Sequence, residues 1–206
     1  LKGSAGTALT IGFALPAVGW SSRLEAASPA VFAPNAWLRL SSDGTVTVMC
    51  GSAEMGQGVL TAIPMLLAEE LDADWKKVRV QQSPVDQAYN NPMFQMQATG
   101  GSTTVRAHWE PLRKAGAAAR EMLVAAAAAQ WKVPASECRT ESSQVIHSSG
   151  KKLAYGALVP AATKLPVPEQ PTLKDPKNFR ILGKRTNRLD TPGKLNGSAK
   201  FGIDAQ

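Results

Sequence analysis

Residues 51–58, G-S-A-E-M-G-Q-G, constrain the fold most, because they separate two segments of different period. Before them, Thr45-Val46-Thr47-Val48 alternates as a strand does. After them, residues 59–71 place Leu60, Ile63, Leu67 and Leu71 on one helical face, with Glu69 and Glu70 expected outside it. A glycine-rich turn between strand and helix lets backbone N–H groups approach an anion, and the helix N-terminus adds a partial positive charge. The turn is therefore expected to aim its N–H groups into one open concavity. Gly56 and Gly58 flank Gln57, whose amide offers a donor and an acceptor and is expected to stand unobstructed. A second candidate cradle, Thr99-Gly100-Gly101-Ser102-Thr103-Thr104, opens another long helical run. Two such turns in one short chain predict a single large polyanionic ligand, and so predict that the turns meet in space.

The remaining pattern supplies a scaffold for these turns. Residues 36–40 and 45–49 flank Ser41-Ser42-Asp43-Gly44, which predicts a hairpin. Residues 77–81 read as a further strand, and residues 86–97 as an irregular loop. Met93, Phe94 and Met96 in that loop either line a channel or pack it down. Residues 102–131 form the longest helical pattern, with a helix-favouring run at 125–129 and Pro111 expected to bend or split it. Pro64 is a candidate kink in the earlier helix. A strand at 144–147, a turn at 148–150 and a short helix at 155–164 follow. Pro166, Pro168, Pro171 and Pro176 then make an extended connector. The fold class is α+β: a small mixed sheet packed by two main helices, followed by an extended Pro-rich arm expected to wrap another domain.

The formal charge of +7 on 206 residues raises nucleic acid as a partner, but its sources crowd around Lys174, Lys177, Arg180, Lys184, Arg185 and Arg188. No recognition helix or aromatic-interleaved basic strip accompanies them, so a solvated or inter-domain tail is expected and no nucleic-acid partner. Cys50 and Cys138 make no metal-binding pattern. Cys50 reads as a small buried thiol, and pairing of the two in an oxidising compartment stays open. His108 and His147 are isolated, with surface or capping roles expected. At the N-terminus, residues 7–18 are too short and too interrupted at Pro16 to span a bilayer. With the small residues at 26–30 they are similar to a twin-arginine export signal, which implies a periplasmic location.

The ordered set Glu54-Met55-Gly56-Gln57-Gly58, Ala68-Glu69-Glu70-Leu71 and Gly100-Gly101-Ser102-Thr103 resembles the molybdopterin-binding large subunit of the xanthine oxidase family of molybdenum hydroxylases. Within that family the resemblance is to the isoquinoline 1-oxidoreductase type of large chain and to the membrane-associated aldehyde dehydrogenases. Arg188-Leu189-Asp190, Gly197-Ser198-Ala199-Lys200-Phe201 and Asp204 resemble the start of that family's hammerhead domain. The resemblance implies a molybdenum–pterin cofactor in its cytosine dinucleotide form. Met55, Gly56 and Gln57 would touch the pterin, with Gln57 near the metal's oxygen ligands. Gly100, Gly101, Ser102 and Thr103 would hold the phosphates, and no residue would ligate the metal directly. It implies hydroxylation of an aldehyde or N-heteroaromatic substrate with water-derived oxygen.

The family's general-base glutamate and its Gly-Phe-Gly-Gly loop find no counterpart here, so no catalytic residue is assigned and the portion is expected to be inactive alone. Expected partners are the remainder of the molybdenum subunit, an iron–sulfur subunit and a cytochrome c subunit; iron–sulfur or haem centres would lie in those partners. The implied division is an export-signal segment at 1–30, a cofactor-binding α+β domain at 31–165 and a connector at 166–206 leading into the hammerhead. The competing reading is a non-catalytic exported α+β module that binds a partner through the same two turns.

Overall fold

The computed structural model describes residues 8–12 and 36–204. Residues 26–30 and most of the export-signal segment lie outside them. Strands β1 (Ala8–Gly12), β2 (Ala36–Ser41), β3 (Val46–Cys50) and β4 (Val78–Gln82) form one mixed sheet in that order. β1 belongs to the apolar run read above as signal material. β2 and β3 make the expected hairpin, with Leu38 opposite Val48 and Leu40 opposite Val46. Its turn follows from its residues: Asp43 accepts the Thr45 N–H at 2.8 Å, and Gly44 takes a φ of +84°. Leu38, Leu40, Val46 and Val48 are fully buried, while β4 returns parallel to β3 after helix α1 (Val59–Leu71).

Helix α2 (Thr104–Trp131) packs along α1. It runs as one helix of 28 residues, so Pro111 does not split it. The missing N–H costs one bond, but Leu112 and Ala115 beside it are fully buried and the following alanines favour helix. The two helices pack tightly at Gly116, where a Cβ would lie 2.3 Å from the Leu67 carbonyl oxygen. A second, antiparallel sheet, β5 (Cys138–Glu141), β6 (Gln144–His147) and β7 (Lys152–Ala154), adds two strands that the pattern does not reveal. Helix α3 (Tyr155–Ala162) follows, and the Tyr155 hydroxyl donates to the Leu71 carbonyl at 2.7 Å. Among the described residues no helix is long and apolar enough to cross a membrane.

Three expectations are corrected. Glu69 and Glu70 do not face solvent; both are 0% exposed. The arm, expected to wrap another domain, lies back on α1 of its own chain, because these carboxylates require partners once buried. Glu69 accepts the N–H groups of Arg180, Ile181 and Leu182 at 2.6–3.1 Å and the Lys174 ammonium at 3.1 Å. Burial raises the Glu69 carboxyl, but those N–H groups and Lys174 outweigh it and hold it below the ordinary glutamate range. Glu70 accepts from Arg113 at 2.7 Å and from the Lys174 N–H at 2.9 Å. Lys174 thus belongs to a buried network rather than to a solvated tail.

The histidines are likewise buried rather than superficial. His147 bonds Ser149 Oγ at 2.7 Å and Glu137 at 2.9 Å, and His108 lies under the second turn. Cys50 is buried as expected, and both cysteines are free.

Candidate functional site

The first turn joins β3 to α1, as the sequence predicts, but the N–H groups of Gly56, Gly58 and Leu60 do not open into a concavity. Glu54 occupies these three. Its Oε1 accepts from the Gly56 and Gly58 N–H groups at 2.8 and 2.9 Å, and its Oε2 accepts from Leu60 at 3.1 Å. The chain's own carboxylate therefore caps the α1 N-terminus, where a negative charge is favoured. Burial raises the Glu54 carboxyl, yet the bonds from Gly58, Leu60 and Gly56 and the charge of Arg188 hold it below the ordinary range. This wrap needs Gly56 at φ +103° and Gly58 at +88°, where a side chain is strained.

Gln57 is exposed but not free. Its Oε1 accepts the Met55 N–H at 2.5 Å and its Nε2 donates to the Ala53 carbonyl at 2.8 Å. Both ends of the amide staple the turn. Met55, 69% exposed, is the large side chain that the turn presents outward.

The second turn is built oppositely. Gly101 and Ser102 take φ of +57° and +52°, and the N–H groups of Gly100, Gly101 and Ser102 meet no acceptor among the described residues. All three residues are exposed, and the α2 N-terminus has no side-chain cap. A Cβ on Gly100 would meet nothing within 4 Å. Thr103 differs from its neighbours: it is buried, its hydroxyl donates to the Gly100 carbonyl at 2.9 Å and accepts from Asn91 Nδ2 at 2.7 Å. Its side chain shapes the turn from below and is spent.

The two turns touch. The Ala53 N–H donates to Thr99 Oγ1 at 2.9 Å, and Ser52 Oγ lies 3.1 Å from Thr104 Oγ1 in a buried contact. Met55, Gly56 and Gln57 are thereby brought beside Gly100, Gly101, Ser102 and Thr103, across more than forty residues of sequence.

Asn91 anchors the adjoining loop from beneath. Its side chain accepts the Met93 N–H at 3.0 Å, and its backbone pairs with Met96. Met93, Phe94 and Met96 are left exposed at the rim, Phe94 next to Gly101. His108 Nδ1 lies 2.8 Å from the Thr104 carbonyl, which can only accept, so Nδ1 carries the proton. Burial pushes its pKa down against that bond, leaving a neutral ring whose Nε2 lone pair has no partner among the described residues. Asn91 and the capping role of Glu54 escape a sequence reading. The one available signal is an acidic residue placed shortly before a helix start.

Among the described residues no group of three or more His, Cys, Asp or Glu side chains is placed to hold a metal. Residues 4–203 match the family model described as molybdopterin cofactor-binding domain. The chain is 36% identical to the beta chain of isoquinoline 1-oxidoreductase from Brevundimonas diminuta, over 93% of this chain and 29% of that protein. It is 33% identical to the membrane-bound aldehyde dehydrogenase [pyrroloquinoline-quinone] of Gluconacetobacter polyoxogenes, over 98% of this chain and 27% of that protein. It is 31% identical to a nicotinate dehydrogenase subunit of Pseudomonas putida, over 80% of this chain and 14% of that protein. The chain thus spans less than a third of the length of these relatives.

Proposed function

Because the chain belongs to the molybdopterin cofactor-binding domain family, of the xanthine oxidase type, we propose that its two joined turns cradle a molybdenum–pterin cofactor within a longer oxidoreductase. The observation that carries this is the open second turn, held against the first by the Ala53–Thr99 and Ser52–Thr104 contacts. The residues present suit the cofactor's phosphates. Gly100, Gly101 and Ser102 are exposed, with N–H groups that meet no acceptor among the described residues, before a helix N-terminus without a side-chain cap, and Gly100 leaves room for close approach. Arg106, exposed one turn into α2 and without an ion pair among the described residues, adds positive charge nearby.

The first turn makes a different contribution. With the Gly56, Gly58 and Leu60 N–H groups on Glu54 and the Gln57 amide bonded to the backbone at both ends, it offers shape and the Met55 side chain more than an anion hole. Held by Ala53 and Met55, Gln57 keeps one Nε2 N–H with which to donate to a cofactor oxygen. When bound, the cofactor supplies the oxygen-transfer and electron-accepting chemistry, while this chain binds and orients it.

The finer reading rests on the family and the sequence. The cofactor is the cytosine dinucleotide form, and the substrate of the whole protein is an aldehyde or an N-heteroaromatic ring. Its partners are an iron–sulfur subunit and a cytochrome c subunit, and the location is periplasmic after twin-arginine export. Gly100→Asp in the full-length protein tests the cradle, since the new side chain meets no clash but sets a negative charge where phosphate would sit. Molybdenum and pterin content should fall about tenfold with the fold retained. Wild-type content in that variant would overturn the assignment.

A further inference from the structure

The arm does more than cover Glu69. From Lys174 it runs back along α1, the Leu189 N–H donates to Thr61 Oγ1 at 3.0 Å, and Arg188 arrives at the first turn. There its Nη2 bonds Glu54 Oε1 at 3.1 Å and its Nη1 bonds the Gly56 carbonyl at 3.1 Å. Asp190 holds the same guanidinium from its other edge, with Nε and Nη2 at 2.9 and 2.8 Å. Lys194 in turn bonds Asp190 at 2.6 Å. A planar fork of five donors fixed by a bidentate carboxylate has little freedom to leave.

Glu54 alone would cap three N–H groups and leave the Gly56 carbonyl with no partner among the described residues. Arg188 supplies that partner and neutralises the carboxylate.

We propose that Arg188 is a positioning residue for the first turn: held by Asp190, it fixes Glu54 and the Gly56 carbonyl, so that docking of the arm sets the conformation of Met55, Gly56 and Gln57. Its consequence for the cofactor rests on the cradle reading above; its consequence for the turn does not. Arm and turn then form one unit. A segment well over a hundred residues away in sequence decides whether the first turn is ordered before any ligand arrives.

The test is amide hydrogen exchange on the full-length protein, with molybdenum and pterin content measured in parallel. Arg188→Ala should speed exchange at Gly56, Gly58 and Leu60 about tenfold, leaving residues 99–105 and 66–71 as in the wild type. Arg188→Lys should lie between, because an ammonium restores the charge beside Glu54 but cannot also reach the Gly56 carbonyl while gripped by Asp190. If Arg188→Ala does not accumulate, Asp190→Asn keeps the guanidinium and loosens its hold, and should show the same local pattern at about half the size on a logarithmic scale. Wild-type exchange at residues 55–60 in these variants, or a uniform rise along all of α1, would overturn the proposal. A wild-type protein carrying no molybdenum or pterin would end the cradle reading while the exchange pattern still judged Arg188.

Discussion

The turn before α1 and the turn before α2 share glycine, small polar residues and a helix N-terminus, yet their N–H groups meet different things. At the first, Glu54 takes the N–H groups of Gly56, Gly58 and Leu60, Gln57 takes that of Met55, and Arg188 seals the assembly. At the second, Gly100, Gly101 and Ser102 are exposed and their N–H groups meet no acceptor among the described residues, while Thr103 and Thr104 turn inward. A glycine-rich turn at a helix start is a capacity for holding an anion; whether it is spent depends on the nearest carboxylate. One turn is closed by its own chain; on the cradle reading proposed above, the other receives the ligand.

The comparison breaks most violently at the arm. Glu69→Ala removes the carboxylate that accepts from Arg180, Ile181 and Leu182, and leaves Lys174 with Asp72 as its ion-pair partner. Losing one partner of a buried pair costs about 3–5 kcal/mol, to be read by denaturant unfolding of the full-length protein. Residues 54–60 should lose protection together with the arm while the N–H groups of Thr103 and Ala107 keep theirs. Equal loosening of both turns would mean that they are not held differently.

Gly116→Ala attacks what the turns have in common. With a Cβ at 2.3 Å from the Leu67 oxygen, α1 and α2 must part, at a cost of about 1–3 kcal/mol. Both turns should respond, since their contacts at Ala53 and Ser52 depend on that crossing. A response confined to one turn would show that the crossing does not set their alignment.

Glu54→Ala should cost about 1–2 kcal/mol as a lost helix cap. It should also convert the first turn into the second kind: inorganic phosphate would then slow exchange at Gly58 and Leu60 in the variant but not in the wild type.

The mildest probe is acid. Glu54 and Glu69 have carboxyls below the ordinary value in the folded chain, so the stability they give is complete above about pH 4.3 and is lost as pH falls through their lowered values. Lys174, Arg180 and Asp72 face Glu69, and Arg188 faces Glu54. Proteolytic cutting near Gly183 should therefore rise only below that range. Release of the arm between pH 5 and 7 would contradict the pairing.

Much of the scaffold was legible. Alternation at 45–48, the Asp43-Gly44 turn and the 59–71 apolar stripe each followed from local chemistry, and α1 has the bounds the period gives. The meeting of the two turns was legible only as a demand of a shared ligand. What escaped is long-range. Glu69 and Glu70 lie off the apolar stripe, and their partners in the arm stand more than a hundred residues away. β5 and β7 are short and polar, so they carry no alternation to read. Pro111 was overridden by packing on both sides of it. The stapled state of Gln57 was hidden because flanking glycines describe room for a side chain, not the direction it takes.

The central claim is that the second turn receives the anionic part of the cofactor and the first does not. Hydrogen exchange of the full-length protein, compared between cofactor-loaded and cofactor-free forms, tests it most directly. The account predicts new protection at Gly100, Gly101 and Ser102 on loading, about tenfold or more, with the N–H groups of Gly56, Gly58 and Leu60 unchanged. Protection gained at Gly56, Gly58 and Leu60 with none at Gly100, Gly101 and Ser102 would contradict it.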